Sequence, residues 1–260
     1  MRFENKVAMV TGAGAGIGRE VSLTLAREGA DIVVNDIDPA AAERTCEEVR
    51  ALGRRAQAAQ GDVSDYERVR SIVDEAVKVF GRVDILVNNA GYVDIDEGHP
   101  EDLRLEEWNR LVAVSLTGVF ICSQLVGREM IKRKSGKIVN LASTAGLVGL
   151  PSATAYTAVK HGVVGLTKAL AIEWGRFGIN VNAAAPGSTL TARAEKYFKD
   201  DPAAYADRAA RVPLGRLAYP SDQAKLIAFL ASADADYITG QVVVADGGTY
   251  ALYAGFAPPK

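Results

Sequence analysis

The sequence predicts an α/β fold, a doubly wound all-parallel sheet in a single domain. Three observations carry that expectation: β-rich apolar runs recur along the 260 residues, helical segments separate them, and no Pro/Ser-rich linker or fixed repeat divides the chain. The runs are Val7 to Val10, Ile32 to Val34, Ile85 to Val87, Ile138 to Leu141, Ile179 to Val181 and Val242 to Val244. Strands apolar throughout suit a sheet covered by helices on both faces. A weaker run, Ala56 to Gln60, precedes Gly61-Asp62-Val63 and brings the count to seven strands. Ser188 to Val212 stands apart, 25 residues without a strand. In a compact domain such a length predicts a lid or substrate loop.

Composition narrows the function. An apolar share of 48% supplies a core, and a formal charge of −2 supplies no positive field for nucleic acid or an anionic membrane. Cys46 and Cys122 stand 76 positions apart in helical segments, so neither a disulfide framework nor a metal site is expected. They read as buried thiols of a cytoplasmic protein, and Met1 to Lys6 lacks the apolar core of an export signal. Leu111 to Gly127 is mainly apolar, but 17 residues containing Ser115, Thr117, Ser123 and Gln124 read as a buried helix rather than a membrane span. His99 and His161 are unpaired, and no metal-ligating spacing or G-x-S-x-G elbow occurs. Twenty-five glycines remain to be explained.

The first run leads into Thr11-Gly12-Ala13-Gly14-Ala15-Gly16-Ile17-Gly18 and then a helical pattern with Val21, Leu23, Leu25 and Ala26. Strand, glycine turn and helix in that order place a phosphate on a helix N-terminus. The spacing is G-x-x-x-G-x-G rather than G-x-G-x-x-G, and Gly18-Arg19-Glu20 cannot serve as a nucleoside-triphosphate loop. Asp36 ends the second run, 18 residues beyond Gly18. A carboxylate there accepts from both ribose hydroxyls and repels a 2′-phosphate; Ala15 and Ile37 bring no cation, so NAD is expected over NADP. The competing reading of Asp36 is a helix cap before Pro39.

With these residues placed, the whole chain resembles the short-chain dehydrogenase/reductase family. Thr11 to Gly18 is similar to its T-G-x-x-x-G-x-G turn, Asp62-Val63 to its adenine-contacting pair, and Asn88-Asn89-Ala90-Gly91 to its N-N-A-G segment. Ser143, Tyr156 and Lys160 fall where the catalytic Ser and the Y-x-x-x-K pair lie, with Ser143 13 positions before Tyr156. Pro186-Gly187, Thr189 and Thr191 match the nicotinamide-holding P-G-x-x-x-T region. The resemblance implies a Rossmann-type sheet in the order 3-2-1-4-5-6-7 and a homotetramer. It implies a cofactor set of Gly12, Gly16, Ile17, Gly18, Asp36, Asp62, Val63, Asn89, Ala90, Gly91, Tyr156, Lys160, Pro186, Gly187, Thr189 and Thr191. One position departs from the pattern: Ser115 stands where the family carries Asn, whose side chain and a local helix distortion hold a water linked to the catalytic Lys. Ser115 therefore stays outside the catalytic set, and a relay on another water or slower proton exchange is expected.

The residue types suit the chemistry. Tyr156 and Lys160, four apart, share a helix face. A phenol of ordinary pKa about 10 is a poor base near neutrality, and a neighbouring ammonium and a positive nicotinamide ring have the sign to lower it. Ser143 would steady the substrate oxygen. The expected activity is hydride transfer between NAD and a secondary alcohol or ketone. Alternatives are a 3-oxoacyl or hydroxyacyl thioester reductase and a non-catalytic cofactor sensor. Tyr92 to Arg104 carries a net −4 and Ser188 to Val212 a net +1, which disfavours an anionic acyl carrier and points to a neutral cyclic or polyhydroxylated substrate. Tyr92, Leu147, Tyr197 and Phe198 are candidate pocket residues, and the tail Tyr250 to Lys260 is expected to pack on another subunit.

Overall fold

In a computed structural model, which describes residues 1–91 and 98–252, the chain forms one seven-stranded sheet in the order β3-β2-β1-β4-β5-β6-β7. The strands are β1 (Val7–Thr11), β2 (Asp31–Asp36), β3 (Ala56–Gln60), β4 (Ile85–Asn88), β5 (Gly136–Leu141), β6 (Ile179–Pro186) and β7 (Val242–Ala245). All neighbours run parallel. The anticipated number and order of strands hold. β6 runs farthest beyond its sequence-based limit, because Ala183 to Pro186 pairs with Val242 to Ala245. Small residues there gave no β signal of their own.

Helices cover both faces: α1 (Gly16–Arg27), α2 (Pro39–Ala51), α3 (Tyr66–Phe80), α4 (Leu105–Val112), α5 (Gly118–Arg133), α6 (Thr154–Trp174), α7 (Ala192–Asp200), α8 (Pro202–Ala210) and α9 (Pro220–Leu230). Alternate strand residues feed two cores. Val10, Ile32, Val34, Ile85 and Val87 pack with α1, α2 and α9, while Met9, Val33, Leu86, Ile138 and Val181 pack with α3, α5 and α6. Every position of the central strands β1 and β4 is thus buried, while β3 and β7 at the edges are only partly covered.

One π-helical turn, Ala113–Thr117, joins α4 to α5. The combined helix Leu105–Arg133 is long and apolar enough to cross a membrane by length and composition, yet Leu111, Cys122, Val126 and Met130 are buried in the fold. Beneath the C-terminal strand ends, Asn88 Nδ2 donates to Ser123 Oγ (2.9 Å) and Asn140 Oδ1 (2.8 Å). Asn140 Nδ2 donates on to Thr167 Oγ1 at 2.9 Å, so a buried polar chain ties β4 and β5 to α5 and α6.

The chain crosses from β3 to β4 past β1, so the sheet order reverses between β1 and β4 and opens a crevice at their C-terminal ends. Ser188 to Val212 contains no named strand; it forms α7 and α8 and a single bridge from Thr189 to Ala218. Phe198 and Tyr205 make an edge-to-face pair at 5.7 Å and pack on Leu190, Val212 and Leu217. This segment therefore has a small core of its own, into which Phe198 is drawn rather than standing free as a pocket residue. Tyr92, the acidic positions Asp94, Asp96 and Glu97, and the tail from Tyr253 onward lie outside the described residues.

Candidate active site

The glycine turn begins where β1 ends. Gly12 and Gly16 adopt φ of 60° and 56°, a region that strains any β-carbon. Space is short as well: a β-carbon on Gly12 would lie 2.8 Å from the Ala90 Cα, and one on Gly18 would collide with the Gly12 carbonyl. Asn89 holds this approach. Its Nδ2 donates to the Thr11 and Gly12 carbonyls (2.8 and 2.9 Å), and the N–H groups of Asn89 and Ala90 donate to Thr11 Oγ1 (3.0 and 2.9 Å). At the head of α1 the N-cap is Ala15, which has no capping side chain. The first-turn N–H groups around Gly16, Ile17 and Gly18 are therefore left without a side-chain acceptor, a cradle that fits a pyrophosphate.

Asp36 closes the other side of the turn. One carboxylate oxygen accepts from the Gly14 N–H (2.8 Å), the other from the Asp38 N–H (3.0 Å). Asp38, not Asp36, caps α2, accepting from Ala40 and Ala41 (2.9 and 3.2 Å). Asp36 and Ile37 line a cleft of about 480 Å³ with Gly12 and Ala15, and Asp62, Val63, Asn89, Ala90 and Gly91 continue it. Asp62 is oriented by Ser64, whose N–H and hydroxyl both donate to it (2.9 and 2.7 Å). Pro186, Gly187, Thr189 and Thr191 lie outside that lining. Thr191 nevertheless faces the glycine turn, since a β-carbon on Gly16 would stand 3.4 Å from its Cγ2. Thr189 Oγ1 donates to the Gly187 carbonyl at 3.1 Å, which folds this segment back on the end of β6.

Ser143 follows β5 and starts a 3-10 turn, Thr144–Gly146, accepting from the Ala145 N–H at 3.1 Å. A β-carbon on Gly146 would lie 2.7 Å from the Lys160 carbonyl. Glycine there lets the serine turn lie against α6. Tyr156 and Lys160 occupy the first two turns of α6, and Ser143 hydrogen-bonds Tyr156. Lys160 Nζ donates to the Leu141 carbonyl at 2.7 Å and stands 5.6 Å from the Tyr156 ring centre. The structure thus brings all three candidate catalytic residues together.

Residues 12–250 match the family model described as enoyl-(acyl carrier protein) reductase. The chain is 39% identical to cyclohexanol dehydrogenase of Acinetobacter sp. (strain SE19) over 95% of each chain. It is 38% identical to the 3-oxoacyl-[acyl-carrier-protein] reductase of Thermotoga maritima, over 95% of this chain and 99% of that one. A solved gluconate 5-dehydrogenase from Burkholderia cenocepacia J2315, in complex with NADP and tartrate, superposes with a TM-score of 0.90 at 35% identity, over 97% of this chain and 98% of that one. This chain belongs to the short-chain dehydrogenase/reductase family. It is accordingly an oxidoreductase of a family that binds a nicotinamide cofactor.

Against the short-chain dehydrogenase pattern, two results were not foreseen. Burial pushes the Tyr156 phenol above its ordinary value, with the Ser143 hydrogen bond pulling the other way. Burial also lowers the Lys160 ammonium to about 8. Burial therefore opposes the ionised form of both side chains. In addition, the helix distortion persists without its asparagine. Ser115 is 1% exposed inside the π-helical turn, and a β-carbon on Gly91 would stand 3.5 Å from its Oγ.

Sequence reasoning missed Gly14, whose N–H holds Asp36, and also Arg110 and Val114, which line the cleft from α4 and the π-helical turn. The glycine motif could have flagged the first. No local signal marks the other two, which lie 19 and 23 positions beyond Gly91 in a helical segment outside every motif.

The shift on Lys160 has a measurable sign. The unfolded chain holds this proton up to about 10.5, the fold only up to about 8, so stability rises with pH between those values and the full cost is present below about 8. Lys160→Met is expected to stabilise the fold at pH 7 by on the order of 1–3 kcal/mol, less the lost Leu141 hydrogen bond. Urea midpoints at pH 7 and pH 10 check this; a gain that does not shrink at pH 10 would show another cause.

Proposed function

We propose that this chain is an NAD-dependent secondary alcohol dehydrogenase/ketone reductase acting on a neutral, cyclic or polyhydroxylated substrate. The observation that carries the reading is the convergence of Ser143, Tyr156 and Lys160 at the end of β5. No charged side chain occurs from Leu141 to Val159, and Val148 and Leu150 are exposed beside the serine turn, which supports an uncharged partner. The named activity of the Acinetobacter relative agrees in class. The second reading, a thioester reductase, draws on the Thermotoga relative and the family description. A purely cofactor-sensing protein would have no use for the assembled serine, tyrosine and lysine.

When bound, NAD accepts or returns the electron pair that separates alcohol from ketone. Gly12, Gly16, Ile17 and Gly18 would hold its pyrophosphate, Asp36 its adenosine ribose, and Asp62 and Val63 its adenine. Asn89, Ala90, Gly91, Pro186, Gly187, Thr189 and Thr191 would enclose the nicotinamide half. In the oxidising direction the Tyr156 oxygen takes the hydroxyl proton while the Ser143 hydroxyl donates to the substrate oxygen. Lys160 would donate to the nicotinamide ribose, and its charge would oppose the effect of burial on the phenol. The segment Ser188 to Val212 closes over the substrate as a lid on this single NAD-binding domain. With two free buried thiols, the chain suits the reducing cytoplasm. Exposed Leu105, Phe120 and Ile172 and the open edge of β7 suit a homotetramer.

Tyr156→Phe is expected to cut turnover by about 10²–10⁴-fold while NAD still binds; a Phe variant of normal rate would sink the assignment. A panel of secondary alcohols followed by NADH absorbance should show turnover, with cyclic alcohols ahead of acyl-carrier thioesters. Preferential use of the thioesters would favour the second reading instead. Asp36→Ala should move the ratio of NAD to NADP efficiency toward NADP, and an unchanged ratio would remove Asp36 from cofactor choice. Light scattering at micromolar concentration should give a mass four times that of the chain.

A further inference from the structure

The adenosine end of the cleft contains a cation that the residues near the glycine turn do not supply. Gly118 pins the head of α5 to the wall of the cleft, since a β-carbon there would lie 2.6 Å from Val63 Cγ2. Four and eight positions earlier, on the same face, come Val114 and Arg110, and both line the cleft. Arg110 lies in α4, with the π-helical turn Ala113–Thr117 between it and the Val63 contact. Ile37, 64% exposed, lines the same cleft from the end of β2. The remaining charges of the lining are the carboxylates Asp36 and Asp62, and Arg110 is its single cation among the described residues.

We propose that Arg110 is a cofactor-binding residue whose guanidinium plane lies over the adenine ring, with the Ile37 side chain on the opposite side. A guanidinium is planar, weakly hydrated and always charged, so it stacks on an aromatic face in a way that an ammonium does not. It also offsets part of the repulsion between two cleft carboxylates and an incoming pyrophosphate. Because the contact is to the base, it acts on any ligand containing adenosine and is indifferent to the 2′-position. The inference rests on the reading of this cleft as the dinucleotide site.

Binding measurements separate the two. Calorimetric titration of the full chain with AMP, adenosine 2′,5′-bisphosphate and reduced nicotinamide mononucleotide would be compared between wild type and Arg110→Gln, with thermal melting to confirm folding. The expected result is a loss of about 3–10-fold in affinity for both adenosine ligands and none for the mononucleotide. Arg110→Lys should recover little of that loss, since it restores charge without the plane. Equal AMP affinity in wild type and Arg110→Gln would overturn the proposal. A loss confined to the bisphosphate would also overturn it, by showing that the guanidinium reads a 2′-phosphate. A wild-type chain that binds neither adenosine ligand would instead refute the dinucleotide reading of the cleft.

Discussion

The contact between Asn89 and the backbone of Thr11 and Gly12 is the constraint on which the rest of the site depends. β1 and β4 are adjacent, but their exits must diverge, one into the glycine turn and the other over the crevice. The Asn89 amide bridges both exits, and Thr11 Oγ1 returns the favour to the next two N–H groups. The result is backbone against backbone, at a distance that only glycine tolerates at positions 12 and 18. Alanine at either position would either open the crevice or displace the head of α1, and the free N–H groups there would lose their place.

A second tension lies in the other half of the site. Lys160 is buried to 6% exposure and donates to the Leu141 carbonyl, an expensive position for an ammonium. The same enclosure raises the neighbouring phenol. Burial thus opposes the ionised form of both groups. What it supplies is a low-dielectric setting in which a charge placed between them counts for more than it would in water.

Most of the fold was legible because its signals are local: an apolar run, a glycine, a cap. Ala56 to Gln60, the weakest run, was still identified as a strand because Gly61-Asp62-Val63 follows it. Asp36 and Asp38 show the limit of such signals. Asp36 was weighed as a cap before Pro39, whereas the geometry gives the cap to Asp38 and the Gly14 contact to Asp36. Arg110 and Val114 were illegible for a different reason: their place in the cleft is set by Gly118 against Val63, a contact between distant segments. Likewise, the phenol of Tyr156 was judged from its charged neighbours, whereas its enclosure depends on the packing of the whole domain.

The strand order also sets a calendar for synthesis. β1 to β3 build one wing outward from the centre, and β4 to β7 then add to the opposite edge strictly in chain order. No strand has to be inserted between two that already pair. A nascent chain that has emerged only as far as Asn88 to Gly91 already has the glycine turn, Asp36, Asp62 and the Asn89 clamp, while Ser143, Tyr156 and Lys160 are still to come. The residues lining the cleft, Arg110 and Val114 last among them, are therefore synthesised before Ser143, Tyr156 and Lys160.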